Sequence, residues 1–390
     1  MDPLTNPYAP GAGIPPPELA GRDGILAAAD IAIQRSRLCR PARSLMLIGL
    51  RGVGKTVLLT EVGRIAERHG AISDFFEVGT NGPLVHAIIT SLRTALLKLD
   101  RAGISGPVKR GLRVLKSFAA TVRVRYGDLE ISIPDLDTER GTADSGILSR
   151  DLADLFDAAG EAARAHGTSI VILVDEIQNL PMEEFGALIT AIHHADRRRL
   201  PVLVAGAGLP SLIKLSAEAR SYAERLFEYP DVGALDDVGC RRALVEPAAR
   251  EGITFDDAVI AAVTDITGGY PYFLQEWGHQ LWMTAPRSPV TVTDFAAAQG
   301  TVMERLDRNF FRSRLERLTE PERKYLRAMA SLGPGPSYRS GDVAAAMGRK
   351  TSQLGPVREA LIAKGMIYSP VYGHAAFTVP LFDGFMRRTR

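Results

Sequence analysis

At 390 residues the chain is too long for one ordinary core and should divide into two or three domains, each able to bury an adequate apolar interior. Lys and Arg exceed Asp and Glu by only 47 to 45 with 24% of residues charged, so no whole-protein basic field announces a nucleic-acid partner and any such site is local. Cys39 and Cys240 lie far apart without a CxxC or His-rich context, and no run has the make-up of an export signal or the length of a membrane span; this argues against a disulfide framework, a zinc site or a membrane partner, and fits a reducing cytoplasm.

In chain order, residues 1–20 are rich in Pro and Gly and read as an irregular arm, free to lie along another surface. Residues 23–38 have helical spacing, 44–48 form a short apolar strand, 57–69 a helix ending at Gly70, 75–78 a strand and 84–99 an amphipathic helix, a βαβα order. Within 101–145 a basic stretch (Lys109, Arg110, Arg113, Lys116) precedes the alternating segments TVRVRY and LEISI around Gly127-Asp128, which predict a β-hairpin insertion. Arg123 and Arg125 would pair across it with Asp128 and Glu130.

The α/β order resumes with helix 149–166, strand SIVILVD, helix 183–196 and strand PVLVAG. Strands so continuously apolar imply a parallel sheet with helices on both faces. Helical patterns at 237–251, 256–267 and 272–284 follow, a small helical lid in which Trp277 and Trp282 are read as core. From Thr319, a capping box with Glu322, a helix capped by Ser340, a third helix over 353–364 and two strands joined through Tyr372-Gly373-His374 make a winged helix. The predicted boundaries are 1–20 arm, 21–230 α/β core, 231–310 lid and 311–390 winged helix.

GLRGVGKT, Gly49 to Thr56, fits the P-loop pattern between an apolar strand and an amphipathic helix, where glycines let backbone N–H groups converge on phosphate. Gly49, Arg51, Gly52, Val53, Gly54 and Val57 supply the cradle and its first turn. Lys55 would neutralise the β- and γ-phosphates and Thr56 would give a hydroxyl to magnesium. The strand SIVILVD delivers Asp175 as the second metal-site residue and Glu176 as the candidate general base. Two adjacent carboxylates at a buried strand end are costly without a cation. The cofactors expected are ATP and Mg²⁺.

On these motifs the chain resembles the AAA+ ATPases, in the branch of archaeal and eukaryotic replication initiators and STAND signalling ATPases. The resemblance implies that Gly21, Arg22 and Asp23, in ELAGRD, help enclose adenine. It implies that Arg225, in YAERLFEYPDVGAL, is an arginine finger reaching a neighbouring subunit in an ATP-dependent homo-oligomer. The other reading of Arg225 is a salt bridge to Glu224 or Glu228. GGYPYF resembles the STAND lid motif, in which Pro271 packs against the nucleotide, and departs from the initiators' sensor arginine. AGAGLPSL, at residues 205–212, lacks the polar sensor that many AAA+ enzymes carry; both departures favour a slowly hydrolysing switch.

The candidate DNA surface comprises Lys350, Thr351, Ser352, Gln353 and Arg358, followed by Lys364, with His374 at the wing tip. The alternative is a winged helix that docks on protein, as in a STAND switch. Arg197-Arg198-Arg199 reads as a helix-dipole interaction. A metabolic P-loop kinase is disfavoured, because neither lid nor winged helix supplies an acceptor site.

Overall fold

The computed structural model describes residues 1–11, 13–79, 84–99, 106–126 and 137–389. These form two compact units: Arg22–Gly49 with Lys55–Val232, the sheet unit, and Met1–Gly21 with Leu50–Gly54 and Gly233–Arg390, the C-terminal unit.

The sheet unit runs α1 (Asp23–Arg37), β1 (Ser44–Ile48), α2 (Lys55–Arg68), β2 (Ile72–Glu77), α3 (Leu84–Leu99), α4 (Gly106–Tyr126), α5 (Leu148–Ala165), β3 (Ile170–Asp175), α6 (Met182–Arg197), β4 (Val202–Gly208), α7 (Ser211–Ala219), α8 (Ala223–Leu226) and β5 (Phe227–Glu228). The sheet order is β2-β3-β4-β1-β5 with every pairing parallel. β1 and β3 are buried along their whole length, as expected of central strands packed on both faces. Their carboxyl ends stand on either side of β4, so one edge of the sheet collects the residues after β1 and β3.

The expected hairpin is corrected: TVRVRY belongs to α4, while LEISI lies outside the described residues. Val108, Leu112, Leu115, Phe118 and Val122 recur at helical spacing and are buried in the main core. Each is worth about 1.5–3 kcal/mol on full burial, which outweighs β-propensities spanning about 1 kcal/mol. The basic stretch is the polar side of this helix, where Arg113 and Arg110 reach Glu139 at 2.9 and 3.8 Å. Arg198, read as a dipole interaction, instead pairs with Asp157 and, at 3.1 Å, with Glu161.

The C-terminal unit contains α9 (Asp237–Arg250), α10 (Asp257–Thr267), α11 (Pro271–Thr284) and α12 (Val292–Leu306), then a π-helical turn (Asp307–Phe311) and α13 (Arg312–Glu316). Trp277 and Trp282 are core, and Trp277 stacks on Phe295 with centroids 4.6 Å apart. The arm lies along these helices: Trp282 Nε1 donates to the Asp2 carbonyl at 2.7 Å, Asn6 Nδ2 to that of His279 at 3.2 Å, and buried Tyr8 to that of Leu244. Glu18 closes it with Arg242 and Arg250, both at 2.6 Å.

The same unit ends with α14 (Glu320–Ser331), β6 (Tyr338–Arg339), α15 (Ser340–Ala346), α16 (Gly355–Ala363), β7 (Ile367–Tyr368), β8 (His374–Phe377) and α17 (Phe382–Arg388). Three helices and an antiparallel sheet β6-β8-β7 give the winged-helix arrangement, with β6 and α17 added to what the sequence showed. The Thr319–Glu322 capping box forms as read. Burial raises the pKa of Glu322, but hydrogen bonds from Lys364 and Thr319 outweigh it and hold the carboxyl below its ordinary value.

Candidate nucleotide site

The P-loop leaves β1 where the Gly49 N–H donates to Gly208 O at 3.1 Å, tying its start to the end of β4. Gly52 and Gly54 take φ of +87° and +96°, a region L side chains rarely enter, so the loop turns back here only because both lack Cβ. Val53 is buried, and α2 begins at Lys55, itself only 7% exposed. Val57 is buried on the first turn of that helix.

Thr56 Oγ1 donates to Asp175 Oδ2 at 2.6 Å, and the other carboxylate oxygen of Asp175 accepts the Glu176 N–H at 2.8 Å. Thr56, Asp175 and Glu176, which come from two distant stretches of sequence, therefore meet in one hydrogen-bonded group. Glu176 has φ +51°, a strained backbone for a non-glycine residue and of a kind that clusters at functional sites. Thr56 and Asp175 supply two oxygens, which suits Mg²⁺: that ion keeps waters and phosphate oxygens in the rest of its shell. No group of three or more His, Cys, Asp or Glu among the described residues could form an all-protein metal cage.

Gln178 was missed. Its Nε2 donates to Glu176 Oε2 while its Oε1 accepts the Leu209 N–H at 3.1 Å. A Cβ on Gly208 would come within 2.7 Å of that same Oε1. The polar group absent from the end of β4 is thus supplied from the loop after β3. The only hint was a glutamine two residues after the acidic pair.

The remaining candidates are dispersed. In the sheet unit Arg22 is buried and Asp23 starts α1. In the C-terminal unit Gly21 takes φ +67° and a Cβ there would be 3.1 Å from Leu235; Arg51 is half-buried, and Pro271 is the first residue of α11. Arg225, on α8, is exposed and forms no ion pair among the described residues; neither Glu224 nor Glu228 takes it up.

Lys350, Thr351 and Ser352 are exposed, and Thr351–Gln353 is a 3₁₀ turn ahead of α16, which starts later than expected because Pro356 sits in its first turn. Gln353 Oε1 accepts the Lys350 N–H at 3.1 Å. Arg358 is turned inward, its guanidinium donating to Ser369 Oγ and, at 3.1 Å, to His374 O. Lys364 pairs with Glu322 at 2.7 Å. His374 opens β8 with its ring 3.1 Å from Ser337 Oγ, so the wing tip is the exposed Val371-Tyr372 and not His374.

Residues 18–205 match the family model described as AAA ATPase domain. The chain carries an AAA ATPase domain. A second model, Domain of unknown function (DUF8462), matches residues 308–386. No curated protein matches. Among solved structures, the Walker-type ATPase paby2304 of Pyrococcus abyssi is similar with a TM-score of 0.59 and 14% identity, over 95% of this chain and 96% of that one. At that identity the likeness shows the AAA+ fold. Cdc6p from Pyrobaculum aerophilum aligns at TM-score 0.46 and 15% identity over 100% and 97% of the two chains. The RuvB K64R mutant of Thermotoga maritima aligns at 0.47 and 14% over 92% of each. No described helix is long and apolar enough to cross a membrane.

Proposed function

We propose that this AAA ATPase-domain protein binds ATP with Mg²⁺ at the P-loop, hydrolyses it slowly, and uses the nucleotide state to control assembly with copies of itself and with DNA. The observation that carries the reading is the hydrogen-bonded series Thr56–Asp175–Glu176–Gln178 at the sheet edge where β1 and β3 end. In it Thr56 and Asp175 would hold Mg²⁺, Lys55 would neutralise the β- and γ-phosphates, and Glu176 would accept the proton of the attacking water. The metal, when bound, draws charge off the transferred phosphoryl oxygens. Slow turnover fits a base whose carboxylate is already committed to Gln178.

Arg225, exposed and free of ion pairs among the described residues, suits a residue that acts on a neighbouring subunit's nucleotide. Pro271 and the residues Gly21, Arg22 and Asp23 keep the nucleotide-enclosing roles the resemblance gives them. For DNA, the exposed Arg349, Lys350, Thr351 and Ser352 before α16 are the groups placed to meet a phosphate backbone. Engagement with a protein in place of DNA is favoured by one observation: the wing tip is apolar and exposed at Val371 and Tyr372, while Arg358 is spent internally.

A salt titration of duplex binding with ATP present tests the reading. Arg349→Ala with Lys350→Ala should lower affinity and reduce the slope by about one unit for each phosphate no longer neutralised. Slopes and affinities equal to those of the unsubstituted protein would transfer the assignment to protein docking.

A further inference from the structure

We infer that Arg314, with Arg51 and the Tyr270 hydroxyl, forms an anion-reading cluster on the P-loop turn, through which the phosphates of a bound nucleoside triphosphate act on the C-terminal domain. The inference rests on the ATP reading and adds a residue that neither the P-loop nor the lid motif contains.

Tyr270 is 2% exposed, and its hydroxyl oxygen has no hydrogen-bond partner. That oxygen would stand 2.7 Å from a Cβ on Gly52, so it presses on the bare backbone of the turn. A buried hydroxyl left unpaired is destabilising unless a partner arrives. Arg314 lies with Cζ 3.6 Å over the Phe310 ring and donates from Nη1 to Phe310 O at 2.8 Å. It makes no ion pair among the described residues. Burial lowers its pKa and the nearby Arg51 lowers it further; Arg51 Nε is itself buried without a partner.

Two guanidinium groups that repel each other and an unpaired hydroxyl share one deficit, and an anion with several acceptor oxygens removes it. A phosphate chain fits best, because the same turn offers converging backbone N–H groups and guanidinium binds phosphate in bidentate fashion. Arg314 also sits in the segment that the second family model matches, residues 308–386. Its platform continues into that domain: Phe310 contacts Phe311 at 5.4 Å, and Phe311 meets Phe382 and Phe385 of α17 at 5.5 and 5.3 Å. An anion that draws Arg314 toward the turn therefore pulls on an aromatic series leading to α17.

The test is equilibrium binding of ATP and ADP to the full chain, with hydrogen exchange over residues 308–318, for unsubstituted protein, Arg314→Ala, Arg314→Lys and Tyr270→Phe. Arg314→Ala should lose about tenfold in ATP affinity and less in ADP affinity, and should lose the ATP-induced protection of 308–318. Arg314→Lys should recover part of the affinity. Tyr270→Phe should weaken ATP binding while the nucleotide-free protein melts no lower than before, an outcome that a packing role for the hydroxyl would not produce. Unchanged ATP affinity in Arg314→Ala, or protection that persists in it, overturns the inference even if Lys55→Ala abolishes binding. If Lys55→Ala binds ATP as well as the unsubstituted protein, the P-loop reading itself fails.

Discussion

At the carboxyl ends of β3 and β4 the polar groups are engaged with one another: Asp175 accepts from Thr56 and Glu176, and Gln178 joins Glu176 to Leu209. Around Phe310, in the C-terminal unit, Tyr270 Oη and Arg51 Nε have no partner and Arg314 has only a carbonyl and a ring. The contrast separates two kinds of readiness. The sheet edge holds its geometry through neighbouring strands and needs little rearrangement, which is what positioning a water and a metal requires. The aromatic joint leaves its polar groups unsatisfied, which makes its conformation depend on what binds.

Substitutions that separate the two regions should differ in kind. The largest effect is expected at Arg225. Arg225→Ala should lower turnover by roughly 10³-fold if it acts across a subunit boundary, and mixing it with Lys55→Ala should restore part of the activity, because one mixed interface unites an intact pocket with an intact arginine. Absence of rescue despite demonstrated mixed assembly would return Arg225 to a structural role. Next, Gly269→Ala should destabilise the C-terminal unit by about 2–4 kcal/mol. Gly269 has φ +69°, and a Cβ would meet Leu235 O at 2.1 Å where the Leu235 N–H donates to Gly269 O at 2.8 Å. Its thermal unfolding should shift while the affinity of the sheet-unit residues for phosphate is lost only above the new transition. An unchanged melting temperature would show that the backbone there relaxes freely.

The smallest effect is expected at Gln178. Gln178→Ala leaves the Leu209 N–H and the Glu176 carboxylate without their shared partner, so kcat should change by about tenfold with KM almost constant. A change confined to KM would mean that Gln178 contributes to binding and does not position the base.

The same contrast governs what could be read from the sequence. The P-loop, Asp175 and Glu176 were legible because each sits at the end of a continuously apolar strand, a local pattern with local consequences. Helix α3 was legible for the same reason, its apolar face repeating over the whole of Leu84–Leu99. Gln178 was not, because its role depends on β4 lying beside β3. Helix α4 was misread because β-branched residues alternate in TVRVRY, while the burial that decides the matter begins at Val108. The short strand β5 and helix α8 follow from pairing with β1 and from packing, and neither has a periodicity of its own. Arg358 and Lys364 read as surface cations, since nothing nearby in sequence reveals that Ser369, His374 and Glu322 receive them.

The central claim is that the sheet edge binds and hydrolyses ATP through separable groups, and Glu176→Gln tests it most directly. The amide fills the same space and can still accept from Gln178, but it cannot take a proton from water. Equilibrium binding and single-turnover hydrolysis of radiolabelled ATP on the same preparation should show affinity within about twofold of the unsubstituted protein and hydrolysis reduced by about 10²-fold or more. Hydrolysis at the original rate with intact binding would contradict the account, placing the base elsewhere and leaving Glu176 a structural carboxylate.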